Sequence, residues 1–323
     1  MFKDILYNAP ENKQINESLS KCYFEVTNHD NILASISGGS DSDIMLDMLI
    51  RCGGKDKTKF VFFNTGLEYA ATKRHIQCLN DKYGIQITVV PPIKSIPTCV
   101  REYGVPFWSK HVSEMMERLQ RHNFQWEDEP LDILLAKYPN ASSAIRWWCN
   151  ANGVDGRRSP YNINRVRGLK EFIIANPPTF KISNKCCKYA KKLPAHKFLS
   201  TNECDMNCVG IRRAEGGVRQ TRYSSCFDSS PSGADEFRPI FWFNDSDKED
   251  YENHYSIEHS DCYKVWGMKR TGCAGCPFAQ NFEDELELAR IYEPKFYTAV
   301  NNIFGDSYAY TRKFMEFREA MKN

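Results

Sequence analysis

Ser37-Gly38-Gly39-Ser40-Asp41-Ser42 joins a short apolar run, NILASI (31–36), to a segment with helical periodicity, DIMLDMLIR (43–51). A glycine turn in that position can do chemistry. The N-terminus of a helix carries unpaired N–H groups and a partial positive charge, so it attracts anions. Two glycines let the backbone approach a phosphate and adopt torsions that other residues resist. The hydroxyls of Ser37 and Ser42 add hydrogen-bonding groups, and Asp41 is placed to cap the helix or to position Mg²⁺. No lysine is present, so this is not the GxxxxGK[ST] loop. An ordinary strand-to-helix turn with a Ser or Asp cap is the competing reading. The full SGGxDS string between strand and helix favours phosphate binding.

The second chemical feature is sulfur. The chain has 13 cysteines, an odd number that cannot pair completely within one chain. An adjacent pair, Cys186 and Cys187, lies in SNKCCKYAKKLP, and Cys273 and Cys276 form a CxxC in RTGCAGCP. Four thiolates suit either Zn²⁺ or an iron–sulfur cluster and do not suit Mg²⁺ or Ca²⁺. An adjacent pair is unusual for zinc. Cys204 and Cys208 read as a weak metal clip or as neutral packed thiols, and Cys226 falls in a segment expected to be a flexible loop.

Third, VGIRRAEGGVRQTR (209–222) carries Arg212, Arg213, Arg219 and Arg222 around a glycine pair. Planar guanidinium groups fit phosphate or sulfate bidentately. A solvated basic loop is the alternative.

The elements that must position these residues alternate. NILASI, KFVFF (59–63) and IQITVV (85–90) read as strands. Residues 43–51 and 68–84 read as the helices between them. This βαβαβ pattern implies a parallel sheet with right-handed crossovers. Residues 109–124 and 131–138 read as helices of an insertion, and 166–175 as a further amphipathic helix. Residues 224–237 read as a loop and RPIFWF (238–243) as one more strand, followed by late helices over 248–256 and 281–304. The expected fold is an α/β three-layer sandwich with a mostly parallel twisted sheet, a helical insertion and a Cys-rich C-terminal lobe. The expected divisions are a nucleotide-binding core over 1–100, the insertion over 101–160, and the remainder with the Cys-rich lobe over 161–323.

Composition excludes several classes. The chain of 323 residues is 41% hydrophobic and 26% charged, with a net charge of +2. It is neither a disordered tail nor a globally basic nucleic-acid binder. No apolar run approaches the roughly 20 residues of a membrane span, so no membrane partner is expected. The opening MFKDILYNAPENKQ has no long apolar region, and the expected location is cytoplasmic.

SGGSDS resembles the pyrophosphatase loop of the adenine nucleotide α-hydrolase superfamily. NTGLEYAAT (64–72) resembles the "TG-x-E-[FY]-P-x-T" element of its phosphoadenosine and adenosine phosphosulfate reductase branch, with Asn64 at a common Asp position and Ala71 at another departure. Residues 210–219 resemble "G-[IV]-R-x-x-E-[SG]-x-x-R", and 239–251 resemble "PL-x-x-W-[ST]-x-x-D-[VI]-x-x-Y", in which Trp242, Asp247 and Tyr251 are expected to pack the late helix on the sheet. The resemblance runs from about residue 31 to about residue 280. The helical block at 101–150 looks like that of reductase-related proteins of mobile elements and phages.

The resemblance implies specific roles. Ser37, Gly38, Gly39, Ser40, Ser42, Thr65, Gly66, Glu68 and Glu215 would bind ATP or an adenylyl sulfate, with Mg²⁺ at Asp41. Arg212 and Arg219 would neutralise charge developing on the transferred group. Cys186, Cys187, Cys273 and Cys276 would hold a [4Fe-4S] cluster, with Zn²⁺ as the alternative. Reductases of this branch use a nucleophilic cysteine in a C-terminal tail, and no cysteine follows Cys276 here. Three readings follow. One is an ATP pyrophosphatase that adenylates a nucleic-acid or small-molecule acceptor for sulfur transfer, supplied by a sulfur or electron donor protein. The second is a reductase of an adenylyl sulfate. The third is a metal-stapled binding module without catalysis.

Overall fold

The computed structural model describes residues 2–153, 156–157, 161–216, 222–231, 233–279 and 281–322. The chain divides into two compact units: Met1–Ile93 with Ala190–Ala274, and Lys94–Tyr189 with Gly275–Asn323.

The first unit is built on one sheet. Its strands are β1 (Ile32–Ile36), β2 (Thr58–Phe63), β3 (Thr88–Val90), β4 (Met206–Val209), β5 (Phe227–Asp228) and β6 (Asp235–Phe237), in the order β3-β2-β1-β4-β6-β5. All neighbours run parallel except the β5–β6 edge pair. Ile32, Ala34 and Ile36 alternate with Leu33 along β1. The first set packs with Phe60, Phe62, Met206 and Cys208 against helices Lys13–Asn28, Ser40–Arg51 and Ala70–Tyr83. Leu33, Val61 and Phe63 turn the other way, toward Phe198 and Leu199 of helix Leu193–Thr201. Both faces are therefore covered, which is why these strands read as continuous apolar runs rather than alternating ones. The result is the expected mixed α/β architecture with a mostly parallel sheet.

Two expectations are corrected at the far edge. RPIFWF is not a strand. Turn hydrogen bonds run from Phe241 N to Arg238 O and from Phe243 N to Ile240 O, and Ile240, Phe241 and Phe243 are buried by an irregular backbone. Trp242 remains 41% exposed, so it does not pack the late helix, and Phe243 fills that place. The segment 224–237 is not one loop. It holds β5 and β6, whose register pairs Phe227 with Phe237, around a short Ser-rich turn. The turn residues masked the brief strands on either side. β4 was concealed in the same way by the polar and sulfur-rich NECDMNC. Cys208 lies in the core on one face of the sheet and Cys204 in the cluster on the other, so the two form no clip. Burial raises both thiols above their usual range, as expected of packed neutral cysteines.

Helix Ser40–Arg51 is the spine of this unit. Its residues Ser40 and Ser42 to Leu49 are all buried, including Asp43 and Asp47. A buried carboxylate is tolerated only when its oxygens are satisfied. Asp47 accepts from the hydroxyls of Tyr83 (2.9 Å) and Tyr251 (2.8 Å) and pairs with Arg51. It thereby ties this helix to helices Ala70–Tyr83 and Asp245–Tyr255.

The second unit is helical. Its core gathers Phe107, Met116, Leu119, Phe124, Leu134, Ile145, Trp148 and Phe172 with Tyr310 and Phe314 of the long helix Pro294–Ala320. Lys110–Arg121, Leu131–Lys137 and Leu169–Ala175 are helices, within a few residues of the sequence expectation. Among the described residues no helix is long and apolar enough to cross a membrane. Phe314 is fully buried, with ring centroids 4.9 Å from Trp108 and 5.0 Å from Phe172. Phe314→Ala is expected to cost about 3–5 kcal/mol in urea unfolding, as large-to-small core changes do. Met315→Ala, one residue on and exposed, is expected to change stability by less than about 0.5 kcal/mol.

Candidate functional site

β1 is flanked by β2 on one side and β4 on the other, so the connections leaving β1 and β4 diverge. In open parallel sheets the crevice at such a switch point, beyond the carboxyl ends of the strands, is the usual place for a ligand. The segment after β1 is Ser37–Ser42, and the segment after β4 is Gly210–Glu215. The two SGGSDS and GIRRAE motifs therefore meet because of strand order.

Their contact is close. A Cβ built on Gly210 would lie 2.8 Å from the Asp41 carbonyl oxygen and 2.9 Å from Ser42 Cα. Only glycine lets β4 run into the first turn of the helix. Gly38 has φ +67°, and a Cβ there would meet Thr72 Cγ2 at 2.8 Å. Thr72 is the last residue of the NTGLEYAAT motif and lies in the first turn of helix Ala70–Tyr83, so that motif packs on the loop it accompanies.

Inside the loop, Ser42 faces inward. Its hydroxyl donates to Gly39 O (2.9 Å) and accepts from Ser37 N (3.2 Å), which fixes the shape of the turn. Gly39 is the residue before the helix and offers no side-chain cap, while its carbonyl accepts from Ser42 N (2.9 Å) and Asp43 N (3.1 Å). The hydroxyls of Tyr263 and Thr271 lie over Gly39, each 3.2 Å from a Cβ built there, and 3.0 Å from each other. The Tyr263 hydroxyl also stands beside the Ser40 backbone, and burial raises its pKa.

Asp41 collects two cations. Its Oδ1 accepts from Arg212 Nε (3.1 Å) and from Lys248 Nζ (3.0 Å). Arg212 also donates to Asp245 (2.9 Å), and Lys248 donates to Ser40 Oγ. Burial of Arg212 works against its charge, but Asp41 and Asp245 more than offset this and hold it protonated. Glu215 Oε1 accepts from the Arg212 backbone N at 3.2 Å, so it shapes the Arg212 turn. Arg219 lies outside the described residues.

The turn after β2 is self-contained. Glu68 Oε1 accepts from Thr65 Oγ1 (2.7 Å) and Thr65 N (3.4 Å), and Leu67 N donates to Thr65 Oγ1. Burial pushes the Glu68 carboxyl up, with Lys191 pulling it back. Gly66 is exposed at the tip with φ +85°. Ala274 N donates to Leu67 O at 2.8 Å, so the Thr271–Ala274 segment bridges from Gly39 to this turn and brings Cys273 beside it.

The four thiols are of suitable donor chemistry for a cluster or zinc. Cys186 is buried, and Cys187, Cys273 and Cys276 are half-buried. Among the described residues, however, no group of three or more His, Cys, Asp or Glu side chains is arranged to hold a metal ion.

Sequence reasoning missed a second layer. Asp43 Oδ2 accepts from His75 Nε2 (2.9 Å) and His259 Nδ1 (2.8 Å), and His259 Nε2 donates to Glu252 (2.8 Å). Burial works against the His259 charge, yet the two carboxylates raise the imidazole from 6.5 to about 9. The signal was present. DIMLDMLIR is apolar on every side, so its two Asp residues had to be buried and paired.

Two outcomes follow. Gly210→Ala is expected to cost about 1–3 kcal/mol in thermal unfolding, because a methyl there overpacks backbone. A raised histidine contributes stability that is present below its unfolded pKa of 6.5 and lost as pH rises through about 9. The stability advantage of wild type over His259→Gln should therefore shrink across that window. Parallel melting-midpoint profiles for the two proteins would contradict it.

Residues 31–138 match the sequence model of the family described as the phosphoadenosine phosphosulfate reductase domain. An uncharacterised protein of Methanocaldococcus jannaschii is 27% identical over 120 residues, 36% of this chain and 25% of that protein. The match thus spans about a quarter of that relative's length. Among solved structures, the phosphoadenylyl-sulfate reductase of Candida auris in a phosphate complex is similar with a TM-score of 0.42 at 12% identity, covering 84% of this chain and 93% of that one. The NH3-dependent NAD synthetase of Campylobacter jejuni has a TM-score of 0.35 at 12% identity, over 92% and 95% of the two chains. The tRNA thiolase NcsA of Methanococcus maripaludis, solved with its 4Fe-4S cluster, has a TM-score of 0.35 at 12% identity, over 94% and 80%. The stretch matched by the phosphoadenosine phosphosulfate reductase domain model, residues 31–138, makes up about a third of the chain.

Proposed function

We propose that the protein binds an adenine nucleotide with its phosphates on the Ser37–Ser42 loop, and cleaves ATP at the α-phosphate to adenylate an acceptor for sulfur transfer. The observation that carries this reading is the meeting of the two motifs at the switch point. A helix N-terminus without a side-chain cap and the Arg212 guanidinium stand together there. Such a site favours a dense anion, and its fixed donors cost no reorganisation when charge develops.

In this reading the glycines admit the phosphate chain and Ser42 keeps the turn in shape. Arg212 neutralises charge on the group being transferred, and Asp41 aims Arg212. The Thr65–Glu68 turn borders the same crevice. Adenylation turns an acceptor oxygen into a good leaving group, and a sulfur nucleophile then displaces AMP. Mg²⁺, when bound with ATP, supplies further charge neutralisation. The acceptor is a nucleic acid or a small molecule, and the sulfur comes from a donor protein.

The family match favours a second reading, reduction of an adenylyl sulfate with release of sulfite. One product analysis separates the two. With ATP and an acceptor, the first reading predicts AMP and pyrophosphate in equal amounts and no ADP. With an adenylyl sulfate and a thiol reductant, the second predicts sulfite and an adenosine phosphate. Formation of ADP and phosphate would overturn both. Arg212→Lys keeps one charge but loses the fork that spans Asp41 and Asp245. It should lower the rate of nucleotide cleavage by about 10²-fold, the size seen when one preorganised donor is lost.

A further inference from the structure

We infer that Lys248 is the cation of the phosphate loop, supplied from a distant helix because the loop has no lysine of its own. The inference rests on the nucleotide reading above and names a residue that reading did not use.

Two observations converge on it. Lys248 is anchored with unusual care. Helix Asp245–Tyr255 begins with reciprocal bonds in which Asn244 N donates to Asp247 (2.9 Å) and Asp247 N donates to Asn244 (2.9 Å). One turn on, Tyr251 is fully buried and bonded to Asp47. The residue between these anchors can point only at the first turn of helix Ser40–Arg51. Second, its ammonium sits on Ser40 Oγ and Asp41 Oδ1, side chains of the first two residues of that helix, while the side chain is only 17% exposed. An extended lysine buried to that degree loses rotamer freedom and hydration, which an aliphatic residue would not. Packing alone asks for no charge at this position, so the ammonium meets a different requirement.

That requirement is the anion. Arg212 is balanced by Asp41 and Asp245, and Lys248 by Asp41 at 3.0 Å and Glu252 at 3.7 Å. A polyphosphate on the helix N-terminus brings several negative charges next to Asp41, which repels them. Lys248 is within reach of Ser40 and exchanges its bond to the Ser40 hydroxyl for a phosphate oxygen. Its contact to Asp41 keeps it aimed. Lys248 is therefore a binding residue for the phosphate chain, whereas Asp43, His259 and Glu252 position the helix that carries it.

The test is calorimetric titration of ATP and of inorganic pyrophosphate into wild type, Lys248→Met and Lys248→Arg, with melting midpoints recorded alongside. A lost charge-assisted bond should weaken both ligands about tenfold to a hundredfold in Lys248→Met. Lys248→Arg should stay within a few-fold of wild type, and the midpoints should stay close. Should methionine lower the midpoint, Lys248→Gln, which keeps a donor for Ser40, takes its place in the same comparison. Wild-type affinity in the neutral variant would overturn the inference and leave the nucleotide reading standing. Equal weakening by arginine and methionine would also overturn it, since shape rather than charge would then matter. Failure of wild type to bind either ligand would remove the nucleotide reading, and this inference with it.

Discussion

Three carboxylates on one helix hold the first unit together. Asp41, Asp43 and Asp47 lie along Ser40–Arg51, and each is bonded by groups from other elements, both bonds to Asp43 falling on Oδ2 while its buried Oδ1 has no partner. Asp41 takes Arg212 and Lys248, Asp43 takes His75 and His259, and Asp47 takes Tyr83 and Tyr251. Removing a partner of the buried Asp43 or Asp47 strands the charge at a cost of several kcal/mol, on the order of 3–5, whereas Asp41 is 17% exposed and keeps Arg212 when Lys248 is replaced. The helix cannot shift without breaking bonds to β4's connection, to helix Ala70–Tyr83 and to helix Asp245–Tyr255 together. Its N-terminus is consequently held in place before any anion arrives. Preorganised donors of that kind are what an anion site needs, because no binding energy is spent on ordering them.

The same constraint explains why distant segments of chain converge. Strand order brings the connections after β1 and β4 side by side, and Gly210 lets them touch. Gly38 does the same for Thr72. The Tyr263–Thr271 segment then lies across Gly39 and reaches the turn at Leu67. Four stretches separated by up to about two hundred positions thus border one crevice, each held by hydrogen bonds or by the absence of a side chain.

Much of this was legible in the residues themselves. SGGSDS between an apolar run and a helix located the loop, and the strand–helix alternation over residues 31–90 located the parallel sheet. The Arg212 and Glu215 spacing pointed to the partner segment. What stayed hidden follows from physics that is not local. β4 is short and carries Asn and Cys, and only its pairing between β1 and β6 identifies it as a strand. RPIFWF is apolar because it is buried, yet its backbone turns. Lys248 and His259 sit in polar, ordinary-looking helix and loop sequence, and their partners lie some two hundred positions away. Asp43 and Asp47 were the available clue, as acids in a helix with no exposed face. The four cysteines carried a metal expectation through their types and spacing alone, and donor chemistry of that kind is legible in sequence while the geometry of a cluster is not.

The central claim is that the crevice between the β1 and β4 connections receives the phosphates of an adenine nucleotide. Backbone amide exchange with and without ATP tests it most directly, since it reports location as well as binding. The account predicts slowed exchange in residues 37–43 and 210–215 when ATP is added, with little change in the core strands. Unchanged exchange there at saturating ATP, or protection confined to other segments, would contradict it.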